Sequence, residues 1–128
     1  MIVLDASVLI AFLDSRDAHH RTAAEIFGTA LDERLGANSL TLAEVLVGPI
    51  QGGKADAARR ALDDLEVQEL PFPVDTALKL ANVRASTDLK MPDCCVLLAA
   101  EESQASIASF DERLAQAARE RNLTVHSR

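Results

Sequence analysis

Short apolar runs alternate with longer segments of helical periodicity along this 128-residue chain. The first run, residues 2–5, ends in an acid, and Val8, Leu9 and Phe12 then recur at helical spacing. The same pattern predicts strands at 2–5, 35–38, 65–68, 107–109 and 123–126. It predicts helices at 8–13, 18–35, 39–48, 54–64, 74–86, 92–103 and 112–121.

Two of these helices carry distinct local signals. The helix over 18–35 has apolar residues spaced for one buried face: Ala23, Ala24, Phe27, Ala30 and Leu31. Ser39 has the character of an N-cap for the next helix, and Gly48-Pro49 is expected to end it. Phe12 and Phe27 are interpreted as core residues, and His19-His20 as a polar pair on the surface.

Strands that alternate with helices imply a parallel sheet with helices on both faces. The chain has no repeat, no low-complexity segment and no linker, and 48% of its residues are hydrophobic. We therefore expect a single domain over residues 1–128. Its predicted architecture is a three-layer α/β/α fold around a short-stranded, mainly parallel central sheet.

The overall charge argues against a protein that wraps long nucleic acids. Acids outnumber bases 20 to 13, whereas binding to phosphates usually depends on a basic excess. There is no Trp or Tyr and there are four Phe, so no platform for base stacking is evident. Any role on RNA or DNA must therefore rest on a local site.

The sequence also predicts where the protein resides. No apolar run approaches the roughly 20 residues of a membrane span, and the N-terminus lacks the basic start of a secretory signal. Cys94 and Cys95 are adjacent, which suits neither a disulfide framework nor a zinc knuckle, and they are expected to be small buried hydrophobes. We expect a cytoplasmic protein with no membrane association.

Four acids stand alone in otherwise uncharged segments: Asp5, Glu44, Asp93 and Asp111. Asp5 and Asp111 fall where a predicted strand meets a helix, at the sheet edge where ligand crevices form. Asp93 and Asp111 are also ordinary acids for a helix start, and Glu44 could point to solvent from a helix edge. Asp5 is harder to explain structurally, because it ends an apolar strand.

A cluster of these acids would require a counter-charge. Two unit charges about 4 Å apart repel by about 4 kcal/mol at an effective dielectric constant near 20. All-oxygen ligands suit Mg²⁺ or Mn²⁺ better than zinc. A cation held in this way can activate water and stabilise a phosphate, so the pattern favours metal-assisted phosphodiester hydrolysis.

The chain resembles the PIN-domain family, and within it the VapC-type toxins of bacterial toxin–antitoxin pairs. The matching segments are 3–10 (VLDASVLI), 42–48 (LAEVLVG), 91–100 (MPDCCVLLAA) and 109–111 (SFD). The last segment departs from the Thr-x-Asp of many relatives, which is followed by an aromatic or bulky apolar residue. Here Leu114 is expected to take the place of that residue.

The resemblance implies a Mg²⁺- or Mn²⁺-dependent endoribonuclease whose catalytic, metal-binding acids are Asp5, Glu44, Asp93 and Asp111. It implies that Asp5 and Asp93 bind the metal directly and that Ser7 bonds a metal-bound water. It further implies a homodimer, an RNA substrate and a cognate VapB-type antitoxin whose tail enters the active-site groove. The candidate RNA-contacting cations are Arg16, Arg21, Lys54, Arg59 and Arg60.

Two other functions stay open at this stage. A PIN-like interaction module would bind a protein or RNA partner without cleavage, in keeping with the acidic surface. A metal phosphohydrolase or receiver-like switch would also place acids at the carboxyl edge, but Asp5-Ala6-Ser7 lacks the second Asp of the phosphatase pattern.

Overall fold

A computed structural model describes all residues from Met1 to Arg128, and a sheet of five short strands lies at its centre. The strands are β1 (Ile2–Leu4), β2 (Leu35–Asn38), β3 (Val67–Leu70), β4 (Ser106–Ala108) and β5 (Val125–His126). The helices are α1 (Ala6–Leu13), α2 (His20–Thr29), α3 (Ser39–Gln51), α4 (Ala55–Asp64), α5 (Thr76–Ala85), α6 (Met91–Ser103) and α7 (Glu112–Glu120). The strand order is β3-β2-β1-β4-β5, and every pairing is parallel.

Successive residues of the central strand β1 face opposite sides of the sheet, and each side has its own hydrophobic core. Ile2 and Leu4 pack with buried residues of α1 to α4. Val3 packs on the other side with residues of α5, α6 and α7, among them Leu97 and Leu114. This arrangement confirms the predicted three-layer α/β/α fold with a parallel sheet.

The helix predicted over 18–35 is much shorter in the structure, where α2 ends at Thr29. Ala30 is its C-cap and Glu33 closes a turn back onto the Ala30 carbonyl, so the chain leaves the helix before β2. The predicted apolar face is therefore wrong in part, because Ala24 is exposed and Leu31 is 84% exposed. The buried residues of α2 are Ala23, Ile26 and Phe27.

The third helix differs from its prediction at both ends. Asn38, not Ser39, is the N-cap, and its side-chain oxygen accepts a hydrogen bond from the Thr41 amide. Pro49 lies inside α3, which continues to Gln51. A proline removes one amide donor, but the Gly52 amide still reaches the Gly48 carbonyl and completes the last turn.

Strand β3 begins two residues later than predicted, because the preceding Glu66 adopts a left-handed backbone conformation with φ of 56°. β3 then pairs with β2, and Leu70 lies opposite Asn38 in the register. Gly36 of β2 permits this packing, since a Cβ atom at Gly36 would lie 2.9 Å from a Leu70 methyl carbon.

The strand order places a topological switch at the centre of the sheet. From β1 the chain crosses to β2 and β3 on one side, and it later returns to β4 and β5 on the other. In open α/β sheets, ligand crevices form at the carboxyl ends of the strands at such a point. The carboxyl ends of β1 and β4 therefore position the site described next. No helix of the protein has both the length and the apolarity that crossing a membrane requires.

Candidate active site

Asp5 directly follows β1 and is buried, with 7% of its surface exposed. It occupies the N-cap position of α1, yet its side chain makes no capping hydrogen bond. Instead, its Oδ2 atom accepts hydrogen bonds from the hydroxyls of Ser7 and Ser109, each at 2.8 Å. Both hydrogen bonds fall on one oxygen, which leaves Oδ1 for another partner.

The two serines also tie the end of β1 to the end of β4. The Ser7 hydroxyl accepts a hydrogen bond from the Phe110 amide at 3.0 Å, and the Ser109 hydroxyl accepts one from the Asp111 amide at 2.9 Å. The sequence-based prediction assigned a role to Ser7 but none to Ser109, which is fully buried. The sequence did offer a signal for Ser109, because this serine follows the apolar strand β4 and lies two residues before Asp111.

Asp111 is the N-cap of α7. Its Oδ1 atom accepts hydrogen bonds from the amides of Arg113 and Leu114, at 2.9 and 3.1 Å. The helix-start interpretation of this acid is therefore confirmed, and it does not conflict with the site, since capping uses one carboxylate oxygen. Leu114 is fully buried in the core beneath the cap.

Asp93 connects the four acids electrostatically. It lies in the first turn of α6, is half-buried and makes no capping hydrogen bond. Its pKa is raised to about 6, first by burial and then by the charges of Asp111, Asp5 and Glu44, while the charge of Lys90 lowers it. The structure therefore brings together, near one sheet edge, four carboxylates that come from four separate parts of the chain.

Glu44 lies on the exposed side of α3, at the edge of this cluster. Partial desolvation and then the charge of Asp5 raise its pKa. Glu44 also lies close enough to Cys95 to raise the pKa of that thiol, although burial and Cys94 contribute more. Both cysteines are free and buried, in agreement with their interpretation as small hydrophobes.

The donor chemistry of the cluster fits a hydrated divalent cation. No three His, Cys, Asp or Glu side chains are arranged to enclose one metal ion. Mg²⁺ does not need such a cage, because it usually keeps several waters and takes one or two carboxylates from the protein. Four mutually repelling carboxylates with only oxygen donors suit an ion of this kind.

The predicted RNA-contacting cations are dispersed. Arg16 is held by Asp14, whose Oδ1 lies 3.1 Å from its Nε, and Arg21 is exposed at the start of α2. Arg59 and Arg60 lie on α4, which packs against α3 and the edge strand β3, and Lys54 is the N-cap residue of α4. The basic side chain whose charge acts on Asp93 is Lys90, the N-cap residue of α6, which the sequence-based prediction did not include.

The aromatic residues divide between the core and the site. Phe12 and Phe27 meet edge to face in the core, as predicted, and His20 bonds the Ala11 carbonyl through Nδ1. His19, however, stacks on Phe110 with ring centroids 4.7 Å apart and an angle of 22° between the rings. The interpretation of His19 as one of a polar surface pair therefore missed an aromatic stack beside the acids.

The fold and the site together define a class of α/β protein with an acidic crevice at the switch point of a parallel sheet. The sequence profile of the PIN domain matches residues 2–120, and this chain belongs to that family. Among curated proteins, no sequence matches the chain significantly.

Solved structures of similar fold come from several bacteria. The chain is similar to FitAcB from Neisseria gonorrhoeae, with a TM-score of 0.76, 19% identity, and coverage of 99% of this chain and 97% of that one. It is also similar to a toxin–antitoxin complex from Klebsiella pneumoniae, with a TM-score of 0.75, 21% identity and coverage of 88% of both chains. For Mycobacterium tuberculosis VapC20, a sarcin-ricin loop cleaving toxin, the TM-score is 0.74 and the identity is 16%, with coverage of 91% of this chain and 95% of that one.

Proposed function

We propose that this protein is a divalent-cation-dependent endoribonuclease and the toxin of a toxin–antitoxin pair. The observation that carries the proposal is the convergence of Asp5, Glu44, Asp93 and Asp111 at the switch point of the sheet. Membership of the PIN-domain family and similarity in fold to a toxin that cleaves the sarcin-ricin loop support the same function.

Each acid has a distinct proposed role. Asp5 and Asp93 bind Mg²⁺ or Mn²⁺ directly, while Glu44 and Asp111 hold waters of the same site or a second ion. Ser7 and Ser109 fix the direction of the Asp5 carboxylate through their hydrogen bonds. When bound, the cation supplies activation of water and stabilisation of the charge that develops on the scissile phosphate. Lys90 contributes a positive charge for the neighbouring phosphates.

The proposed partners are an RNA substrate, a cognate VapB-type antitoxin and a second copy of this chain, in the cytoplasm. The structural similarity to a toxin–antitoxin complex supports the antitoxin. Two apolar side chains on α3, Val47 and Ile50, are 53% and 62% exposed, which is consistent with a covered face in a homodimer. Light scattering of the purified protein measures its mass and tests the dimer directly.

An RNA cleavage assay tests the proposed activity. We expect the wild-type protein to cleave a structured RNA in Mg²⁺ or Mn²⁺, and EDTA or the Asp5→Asn substitution to abolish cleavage. Asp56→Asn is the matched control, because Asp56 is an exposed acid in the first turn of α4. Cleavage that survives both chelation and Asp5→Asn would reject the mechanism. RNA binding without any cleavage would favour the interaction module instead.

A further inference from the structure

His19 stacks on Phe110, which directly precedes Asp111 in the chain. Phe110 stands between Ser109 and Asp111, and its backbone amide donates to Ser7, so hydrogen bonds link its position to that of Asp5. His19 belongs to the loop between α1 and α2 and is exposed. Its backbone amide donates to Asp17 Oδ1 at 2.8 Å, which fixes the loop at this point. The exposed imidazole of His19 is therefore attached, through Phe110, to the segment that carries Ser109 and Asp111.

Charge alone gives this site little affinity for RNA. The protein carries a net charge of −7, and four carboxylates repel the phosphates of any strand that approaches. Of the candidate cations in the first loop, Arg16 is already paired with Asp14. Stacking of a base on an aromatic ring needs no counter-charge, and it is available to any nucleobase that is not paired.

We propose that the exposed face of His19, backed by Phe110, binds an unpaired nucleobase next to the scissile phosphate. This inference rests on the proposed function and adds a subsite to it. The ligand is a flat, unpaired base, so the protein prefers single-stranded or looped RNA over a continuous duplex. The base is held by ring contact, so the subsite tolerates more than one base type.

The alternative is a purely structural stack that holds the α1–α2 loop against residues 109–111. Ala at position 19 removes both the ring and the side chain that packs on Phe110, so Ala alone does not separate the two roles. Phe can pack on Phe110 and can also stack on a base. Leu can cover Phe110 but offers no ring to a ligand. His19→Leu with His19→Phe is therefore the informative pair, and urea unfolding of each variant checks that the fold is kept.

The experiment uses short unpaired RNAs that carry 2-aminopurine at successive positions, with the full-length protein in EDTA so that no cleavage occurs. We expect quenching of 2-aminopurine at one position with the wild-type protein and with His19→Phe. For His19→Leu we expect the quenching to be lost and Kd to rise about 5- to 150-fold, which corresponds to about 1–3 kcal/mol for one stacked base. Exposed Phe72, changed to Ala, is the control.

The outcomes separate this inference from the nuclease proposal. Quenching and Kd that are equal in wild type and in folded His19→Leu overturn the subsite, while normal cleavage by the same preparation leaves the nuclease intact. Quenching that depends on His19 without any cleavage in Mn²⁺ supports the subsite and rejects the nuclease. Equal Kd values for the unpaired RNA and its annealed duplex also overturn the inference, because a paired base presents no free face.

Discussion

Asp93→Asn should stabilise the protein when no metal is present, although it removes a residue proposed to bind the metal. The ionised Asp93 carboxylate is half-buried among three other acids, and its pKa is raised from an ordinary 3.8 to about 6. An unfolded chain ionises this group near pH 4. Between about pH 4 and pH 6 the folded state therefore holds more protons, and the free energy of unfolding falls as the pH rises.

The size of the effect follows from the change in pKa. At 1.36 kcal/mol for each ten-fold change in the ionisation constant, the rise from 3.8 to about 6 corresponds to about 3 kcal/mol. Solvent screening of a half-buried group reduces this to about 1–2 kcal/mol. The substitution also loses a favourable acid in the first turn of α6, worth about 0.3–1 kcal/mol. We expect a net gain near 1 kcal/mol at pH 7.5 and none at pH 4.

Urea unfolding in EDTA at both pH values measures this difference. Asp56→Asn is the control, because it removes a first-turn acid of α4 that is exposed. In excess Mn²⁺ we expect the wild-type protein to be more stable than Asp93→Asn, because metal binding stabilises the folded wild type and the variant loses that binding free energy. If Asp93→Asn is no more stable than wild type in EDTA at pH 7.5, then burial and the neighbouring charges do not destabilise the ionised Asp93 carboxylate as its raised pKa indicates.

Four further substitutions, at three positions, test the packing around the site by urea unfolding. Ser109→Ala removes the hydroxyl that donates to Asp5 and leaves the Asp111 amide without its acceptor. We expect the free energy of unfolding to fall by about 1–3 kcal/mol and Mn²⁺ binding, measured by calorimetry, to weaken. Asn38→Ser keeps the acceptor that caps α3 and removes a buried amide nitrogen with no partner. Its stability should stay within about 0.5 kcal/mol of wild type, whereas Asn38→Ala should lose about 1–2 kcal/mol. Gly36→Ala should cost about 1–3 kcal/mol, because the new Cβ atom would press on Leu70. An unchanged Gly36→Ala midpoint would contradict the close contact.

The fold class was predictable because each strand is a short apolar run and each helix has an apolar face. The errors occurred where tertiary contacts override local pattern. Leu31 continues the periodicity of α2 but lies in a turn, where it is exposed. Pro49 is a strong local stop signal, yet the surrounding carbonyls and amides still pair and α3 continues past it.

The four acids of the candidate site could be singled out in the sequence because each is the lone charge of an apolar segment. The hydrogen bond from Ser109 to Asp5 could not be predicted in the same way. It forms because β4 pairs with β1, and the local sequence around Ser109 does not show this pairing. Lys90 and His19 were missed for the same reason. Their roles depend on distances between elements that no spacing along the chain encodes.

The hydrogen bond between Ser109 and Asp5 spans 104 positions of the chain, and that between Phe110 and Ser7 spans 103. Contacts of such long range close late in folding, and during synthesis the C-terminal partner leaves the ribosome last. A growing polypeptide that stops short of Asp111 has an Asp5 without its second serine and a cluster without its fourth acid. Translation itself thus delays assembly of the acidic crevice until the polypeptide has been extended past Asp111.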